Sequence, residues 1–296
     1  MIAVPRISVV TPSYQQGAYL ERTIDSVLSQ GYPNLEYIVV DGGSTDNSVE
    51  IIRKYERHLG YWVSEKDRGQ SHAINKGMAR ASGQILAWLN SDDWYVNRAL
   101  FRFAEHFTAN PETGVVVGRG QTVNLAGDLV MDKSPPDPIT LETICSWLIK
   151  GHFMQPSAAF SRDAWVAAGP LAEDVHIALY VDLWLRMAKA NCVFVSTDEL
   201  LSVALSHPNA KTTAFVDEMR LDCARVVASH GSLKGYEQAI QCMVQDKQMT
   251  NLKLAWYERN YRVVVEHPLL RILQPIVKRF SKEGGYWQAS IPPWKC

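Results

Sequence analysis

Ile85-Leu86-Ala87-Trp88-Leu89-Asn90-Ser91-Asp92-Asp93 is an apolar segment that runs directly into two adjacent carboxylates. Five apolar residues in a row fit a buried strand, and the acidic pair fits the loop at its end. Three earlier apolar segments, at 7–10, 37–40 and 60–64, also end in polar loops. Stretches with helical spacing of apolar residues separate the four segments. This alternation predicts an α/β architecture with a mostly parallel sheet, whose polar loops gather at one edge.

The size and composition of the chain fit a globular protein that is soluble or peripheral to a membrane. Its 296 residues are 47% apolar and 21% charged, which excludes a disordered chain. The formal net charge of -1 gives no reason to expect a nucleic-acid partner. The five cysteines form no C-x-x-C pair, which favours reduced thiols in the cytoplasm over disulfides or a zinc site. No signal peptide is recognised, and no apolar run reaches the ~20 residues of a membrane-spanning helix.

The acidic pair Asp92-Asp93 has two interpretations. By itself it could cap a helix, because Asp is a preferred residue at helix starts. Asp41 and Asp67 follow two other predicted strands, however, so that four carboxylates would meet at one edge of the sheet. Carboxylates repel each other unless a cation lies between them, and hard divalent ions prefer oxygen ligands. The pattern therefore predicts a site for a metal ion and a nucleotide, although the phosphate motif G-x-x-x-x-G-K-[ST] is absent.

Four loop motifs occur in a fixed order along the first part of the chain. They are Val9-Val10-Thr11-Pro12-Ser13-Tyr14, the Asp41-Gly42-Gly43-Ser44-Thr45-Asp46 loop, Asp67-Arg68-Gly69-Gln70 with Ala73-Ile74-Asn75-Lys76-Gly77, and Asn90-Ser91-Asp92-Asp93. Together they resemble the inverting family 2 glycosyltransferases of the GT-A fold, over about residues 6–210. The resemblance implies a Rossmann-like sheet flanked by helices. It also implies sugar transfer from a nucleoside diphosphate sugar to a glycan or lipid-linked acceptor, in bacterial surface-polysaccharide assembly.

The resemblance assigns roles to residues of the predicted donor site. Thr11, Pro12 and Tyr14 would frame the nucleotide base, and Asp41 would accept a hydrogen bond from it. Asp67 and Gln70 would lie near the nucleotide, and Lys211 would neutralise the leaving diphosphate. Asp92 would lie by the ribose or the metal, and Asp93 and His207 would ligate Mn²⁺ or Mg²⁺.

The second half of the chain resembles the acceptor-binding part of the family, with Gln155 and Trp184 as expected acceptor contacts. Relatives usually read Glu-Asp-x-Asp/Glu-Leu-Trp here, and the first Asp is the base that takes the acceptor proton. This chain reads Leu179-Tyr180-Val181-Asp182-Leu183-Trp184, so that Tyr180 occupies the base position. A phenol has a reference pKa of about 10 and is a poor base near neutrality.

Three alternatives follow from this substitution. Asp182 could be the base, although Arg186 at i+4 could instead hold it in a structural pair. Glu173 or Asp174 could supply the base from the preceding loop. The third alternative is a catalytically impaired protein that binds a nucleotide sugar. A nucleotidyltransferase, which also combines carboxylates with a metal, would need a Gly-rich basic loop near the N-terminus, and residues 11–14 do not form one.

The predicted domain boundaries follow the extent of the resemblance. Residues 1–212 form the GT-A domain, with a donor half at about 1–118 and an acceptor half at about 119–212, and 213–296 form a helical C-terminal extension. Residues 262–296 combine an apolar stripe with basic residues, and could contact an anionic membrane surface. Packing on the same domain, or on a second copy in a homo-oligomer, is the alternative. The predicted location is cytoplasmic, with peripheral contact at the inner face of the membrane.

Overall fold

The computed structural model describes residues 4–148, 152–214, 216–232, 234 and 237. Within them, one sheet is formed by β1 Ile7–Ser13, β2 Leu35–Asp41, β3 Tyr61–Ser64, β4 Ile85–Trp88, β5 Trp94–Tyr95, β6 Thr113–Asn124, β7 Leu129–Lys133, β8 Ala158–Ser161 and β9 Val193–Ser206. The helices are α1 Leu20–Leu28, α2 Ser48–Tyr55, α3 Gln70–Arg80, α4 Ala99–Ala109, α5 Leu141–Cys145, α6 Arg162–Ala168, α7 Leu179–Lys189, α8 Lys211–Ala214 and α9 Val216–Ser229.

The strand order is β3-β2-β1-β4-β8-β6-β9-β5, and β7 pairs with β6. The first four strands are parallel to one another, as crossover units require. β8 then runs antiparallel to both β4 and β6, while β6 and β9 are parallel. The predicted α/β fold is confirmed, with a parallel first half and a mixed second half.

Helices cover both faces of the sheet because strand residues alternate between two cores. On β1, Val9 belongs to the core beneath α1, α2 and α4, whereas Val10 faces the core beneath α3 and α7. Each helix contributes an apolar stripe at helical spacing, such as Leu20, Ile24 and Val27 of α1. This three-layer arrangement fixes the strand ends, from which the polar loops emerge.

α3 lies unusually close to β1, and a glycine permits the approach. A Cβ atom at Gly77 would lie 2.4 Å from Cγ1 of Val10, inside the contact distance of two carbons. The helix is preceded by Gly69, whose φ of +122° is a conformation that L side chains rarely adopt. The two glycines together bring the first turn of α3 to the edge where β1 and β4 end.

α9 lies within the segment that the domain prediction assigned to the extension, yet it packs into the main core. Cys223, Val226 and Val227 are buried there together with residues of α7. From the same helix, Asp222 accepts hydrogen bonds from the backbone N–H groups of Ile177 and Ala178, each at 3.0 Å. α7 therefore receives its N-terminal cap from another helix, since Ala178 has no capping side chain.

The division at residue 212 stays a prediction, and residues 262–296, with their membrane-contact hypothesis, lie outside the described residues. Among the helices that the structure describes, none combines the length and apolar character needed to cross a membrane.

Candidate active site

The carboxyl ends of β1, β2 and β4 open into a cleft of about 1200 Å³. Two sets of residues line it. The carboxylate half consists of the loops at 12–16, 42–43, 66–70 and 90–93, closed by 206 and 209–211. The aromatic half consists of apolar, aromatic and basic side chains from 131–133, 147–148, 152–154, 177–180 and 219–220. Gln155 lies at the junction, where its side-chain amide donates to the backbone oxygen of Trp88 at 3.0 Å.

Asp41 organises the loop after β2 and does not line the cleft. The side chain is fully buried, and Oδ2 accepts from the backbone of Ser44 at 2.9 Å and from the hydroxyl of Ser64 at 2.6 Å. Oδ1 accepts from the Ser44 hydroxyl at 2.5 Å. The donors on Asp41 thus come from its own loop and from β3, and its contact with the nucleotide base stays a prediction.

Thr11 is a second residue that the structure places away from the predicted position. It is fully buried, and its hydroxyl lies 3.0 Å from the hydroxyl of Tyr37 beneath the cleft. Pro12 and Tyr14 do line the carboxylate half, and Tyr14 is 61% exposed at its mouth. The motif at 11–14 therefore contributes Pro12, Ser13 and Tyr14 to the wall.

Asp67 enters the cleft because its neighbour across the edge is a glycine. A Cβ at Gly42 would lie 2.6 Å from Oδ2 of Asp67, so a larger residue would displace the carboxylate. The other oxygen, Oδ1, accepts from the backbone N–H of Gly69 at 2.8 Å. Asp67 thus keeps one oxygen in the cleft, as predicted for a residue near a nucleotide.

A polar network ties the predicted donor residues together. Gln70 donates to Oδ1 of Asn90 at 2.8 Å, and its own Oε1 accepts from Nζ of Lys211 at 2.9 Å. Three segments that are distant in sequence, at 70, 90 and 211, therefore converge on one wall of the cleft. The lysine lies where a negatively charged diphosphate would be attracted.

Asp92 and His207 meet at the edge of the sheet. β9 ends at Ser206, one residue before His207, and carries the imidazole to the loop after β4. Nε2 of His207 lies 3.1 Å from Oδ2 of Asp92, while the ring packs at a tilt of 39° against Tyr19 with centroids 4.5 Å apart. The other ring nitrogen is buried without a hydrogen-bond partner among the described residues. The structure thus brings together two of the three predicted metal ligands.

Asp93 also lines the cleft, next to Asp92 in the chain. Its carboxylate accepts from the side-chain amide of Asn90 at 3.1 Å and from the backbone N–H of Leu205. Burial raises the pKa of the Asp93 carboxyl well above its usual range, and the adjacent Asp92 raises it further. The pair therefore carries an electrostatic strain that a cation beside it would relieve.

The donor set fits a hard divalent ion held by few protein ligands. Neighbouring ligands of an octahedral ion, each about 2.0–2.2 Å from it, lie about 3 Å apart, which is the spacing of Asp92 and His207. Nowhere in the described residues do three or more His, Cys, Asp or Glu side chains form a metal-binding group. Asp92 and His207 could supply two side chains to such an ion, because Mg²⁺ commonly keeps water and phosphate oxygens in the rest of its shell. The role of Asp93 as a further ligand stays a prediction.

Tyr180 lines the aromatic half, where the base was expected. Its ring lies 5.7 Å from that of Trp147, and its hydroxyl points at the sulfur of Met219 at 4.0 Å. Burial raises the pKa of Tyr180 far above its ordinary value. The phenol therefore stays protonated, and it can donate a hydrogen bond but cannot act as a base near neutrality.

Asp182 does not reach the cleft. Oδ2 accepts from Nε of Arg186 and Oδ1 pairs with Nε2 of His230, both at 2.9 Å. Burial raises the pKa of Asp182, but the hydrogen bonds and charges of His230 and Arg186 outweigh it, so that the pKa is lowered. The assignment of Asp182 as base is contradicted by this position, and the structural pair with Arg186 is confirmed.

The loop carboxylates offered as alternative bases are also engaged elsewhere. Glu173 forms a two-pronged ion pair with Arg68, at 2.8 and 3.0 Å. Asp174 is largely exposed and faces Arg225 at 3.6 Å. Neither lines the cleft. Among the described residues, the carboxylates that line it are Asp67, Asp92 and Asp93, all in the carboxylate half.

Trp184 is a core residue and not an acceptor contact. It is fully buried and stacks on Trp88 at 5.9 Å, with Phe153 at 5.7 Å on another side. The prediction for Trp184 is therefore wrong, whereas Gln155 does line the cleft.

Sequence reasoning missed most of the aromatic half. Trp147, His152 and Phe153 cluster there, with ring centroids 4.9–5.3 Å apart, and Lys133 joins them from β7. Burial, and then the charge of Lys133, lower the pKa of His152 to about 4. The density of aromatic residues at 147–153 was the available signal, but no periodic pattern linked it to the loops of the first half.

Comparisons with known proteins find glycosyltransferases among both the sequence relatives and the solved structures of similar fold. A putative teichuronic acid biosynthesis glycosyltransferase, TuaG of Bacillus subtilis, is 43% identical over 94 residues, which cover 30% of this chain and 36% of that protein. The structure of S. aureus TarS superposes with a TM-score of 0.58 at 17% identity, covering 94% of this chain and 48% of that one. Mannosyltransferase PcManGT from Pyrobaculum calidifontis, in complex with GDP-Man and Mn²⁺, superposes with a TM-score of 0.57 at 17% identity, covering 97% and 89%.

The structural similarities establish the GT-A type of fold, and the matched part spans about a third of the curated relatives' own lengths. The family model Glycosyl transferase family 2 matches residues 8–166, which is more than half of the chain and contains the loops that form the carboxylate half. On this match the chain belongs to glycosyl transferase family 2.

Proposed function

We propose that the protein transfers a sugar from a nucleoside diphosphate sugar to a glycan or lipid-linked acceptor, with inversion at the anomeric carbon and dependence on Mn²⁺ or Mg²⁺. The observation that carries the proposal is the contact of Asp92 with His207, beside the Gln70–Lys211 pair. Family membership supports the reaction class, and the Mn²⁺ bound to PcManGT supports the choice of ion.

The carboxylate half would hold the donor. Pro12 and Tyr14 would flank the base, and Asp67, with one oxygen in the cleft, would accept from a nucleoside N–H or hydroxyl group. Asp92 and His207 would hold the metal ion, which when bound would offset the negative charge of the diphosphate. Lys211 would stabilise the same charge as the glycosyl–oxygen bond breaks and its electron pair leaves with the nucleoside diphosphate.

The acceptor hydroxyl would attack the anomeric carbon from the aromatic half, and its proton would pass to a water molecule of the cleft. Tyr180 would donate a hydrogen bond there and orient the acceptor, since its raised pKa prevents it from removing a proton. Because no carboxylate lines the aromatic half within the described residues, a second function has a specific observation in its favour. It is that of a nucleotide-sugar-binding protein with impaired transfer.

A thermal-shift screen of UDP- and GDP-sugars, with and without Mn²⁺, tests the donor assignment. Metal-dependent stabilisation by one donor is expected, and Asp92→Asn should abolish it. Asp163→Asn, at an exposed position outside the cleft, is the matched control and should behave like wild type. Equal metal-dependent binding by Asp92→Asn and wild type would contradict the proposed metal site.

Turnover separates the two functions. The donor identified by the screen is incubated with the full chain, and release of nucleoside diphosphate is followed with and without a pool of glycan and lipid-linked acceptors. Acceptor-dependent release supports the transferase. Tight binding of the donor with no release under either condition supports the impaired binding protein.

We also propose that residues 213–296 form a mainly helical extension of the GT-A unit, and that 262–296 contact the inner face of the cytoplasmic membrane. The basic and apolar composition of that stretch supports the contact. Liposome flotation of the full chain and of a chain ending at residue 261 tests it, and equal flotation of the two would contradict it.

A further inference from the structure

The aromatic half differs from the rest of the cleft in both polarity and charge. Its walls are apolar or aromatic, and include Trp147, Phe153, Met154, Leu179 and Met219. Its charged side chains are basic: Lys133 from β7 and Arg220 from α9. Within the described residues, the carboxylates that line the cleft, Asp67, Asp92 and Asp93, all lie in the other half.

Lys133 is directed into this wall by the alternation of β7. Met131 and Lys133 are two residues apart and share the face that lines the cleft. Asp132, between them, faces the opposite side, where it accepts from Gln121 at 2.8 Å and lies 3.6 Å from Arg119. Within the described residues Lys133 therefore has no ion pair, although an aspartate is its immediate neighbour in sequence.

His152 shows that the charge of Lys133 acts inside the wall. The pKa of His152 is lowered to about 4, first by burial and then by the charge of Lys133. The imidazole is therefore neutral at pH 7 and still offers one N–H donor. Its ring packs edge-on against Trp147 at 5.3 Å, so that a donor, a cation and an aromatic surface adjoin one another.

We infer that the aromatic half binds an oxyanion of the acceptor, a phosphate or a carboxylate, through Lys133 and His152, with an apolar part of the same acceptor against Trp147 and Met219. The inference rests on the proposed function, since it assigns this half to the acceptor. A cation in surroundings of low polarity attracts an anion more strongly than an exposed one does. The adjoining apolar surface favours a ligand in which the anion is attached to an apolar group.

Three short amphiphiles that share an octyl chain test the inference on the purified full chain. They are octyl phosphate, octanoate and octyl glucoside, titrated below their aggregation concentrations while tryptophan fluorescence is followed. At least one of the two anions should bind about tenfold more tightly than the neutral glucoside, the value of one charge-assisted contact. The tighter of the two anions identifies the oxyanion as phosphate or carboxylate.

Variants at position 133 distinguish charge from packing. Lys133→Gln should remove the preference for the anions and leave the affinity for octyl glucoside unchanged, whereas Lys133→Arg should retain most of the preference. Lys189→Gln, at an exposed position of α7 outside the cleft, is the matched control and should match wild type. Melting temperatures of all variants confirm that they are folded.

Two results would overturn the inference: anions that bind wild type no better than octyl glucoside, or equal weakening of all three ligands by Lys133→Gln. Metal-dependent binding of UDP or GDP is measured on the same samples, and its failure would contradict the proposed donor site. Because the two readouts use different halves of the cleft, either assignment can fail without the other.

Discussion

The carboxylate half and the aromatic half of the cleft are built by different means. The first consists of loops at the ends of parallel strands, and hydrogen bonds within a few residues hold the loops after β2 and β3, as Asp41 holds Ser44 and Asp67 holds Gly69. The second is assembled from α7, α9, β7 and residues 147–148 and 152–154, which meet only through tertiary packing. A site of the first kind is encoded in short motifs. A site of the second kind depends on residues far apart in the chain, and is more readily altered without a visible motif.

A substitution at Trp184, which lies beneath the aromatic half, is the strongest test of this difference between the two halves of the cleft. Trp184→Ala should lower the free energy of unfolding by about 3–5 kcal/mol, because a fully buried indole leaves a cavity. Denaturant unfolding measures the change, and metal-dependent nucleotide affinity at low temperature should be unchanged. A variant of normal stability that had lost acceptor binding would show that Trp184 reaches the cleft after all.

Asp182 provides the next test, because its role changed from catalysis to structure. Asp182→Asn should cost about 3 kcal/mol of stability, since it breaks a buried pair and leaves Arg186 and His230 without a carboxylate. Glu173→Gln, which breaks the more exposed pair with Arg68, should cost less than about 1 kcal/mol. If Asp182→Asn were as stable as wild type but inactive, Asp182 would be the base.

The aromatic half should also give the protein an acid-sensitive component of stability. Because the pKa of His152 falls from the ordinary value of 6.5 to about 4 on folding, the unfolded chain binds more protons between these values. Stability is therefore full above pH 6.5 and declines as the pH falls toward 4, by about 2–3 kcal/mol from this residue. The free energy of unfolding, measured with urea, should therefore depend less on pH in His152→Gln than in wild type. An unchanged pH dependence would contradict this role of His152.

The smallest of the expected effects concerns the carboxylate half. His207→Gln should weaken metal-dependent nucleotide binding by about 10–100-fold, or about 1.4–2.7 kcal/mol, because one proposed ligand is lost and Asp92 remains. Calorimetric titration with Mn²⁺ and the donor measures this, with His176→Gln at an exposed position as the control. If His207→Gln and wild type bind the nucleotide equally well without metal, the defect lies in metal binding, as expected. If they bind it equally well with metal, His207 is not a ligand.

The parts of the fold that the sequence predicted are those with local signals. The first four strands and their helices were identified because apolar periodicity and glycine-rich breaks lie side by side in the chain. The full length of β9, which carries His207 to Asp92, was missed because four polar residues at 196–199 interrupt its apolar pattern. The capping role of Asp222 was missed as well, because this residue is far in sequence from the start of α7 and no local motif indicates it.

The type of residue predicted correctly which loop residues line the cleft, but it was a poor guide for residues outside the loops. Asp67, Gln70 and Asp92 lie in the cleft as expected, because a polar residue just beyond a buried strand has few other places to be. Asp41 satisfies the same rule but is turned inward by serines at 44 and 64, and the chain alone does not reveal that choice. Trp184 follows a motif that resembles an acceptor contact, yet the packing of Trp88 against it decides its position.

The position of α9 determines how small a working fragment of this protein can be. The motifs end near residue 212, and a fragment designed from them would stop there. Such a fragment would remove the carboxylate that caps α7, the imidazole that pairs with Asp182, and three apolar side chains of the core. It would expose the surface on which Tyr180 rests, and the loss would fall on the aromatic half first. A fragment intended for expression or crystallisation should therefore extend through at least residue 232.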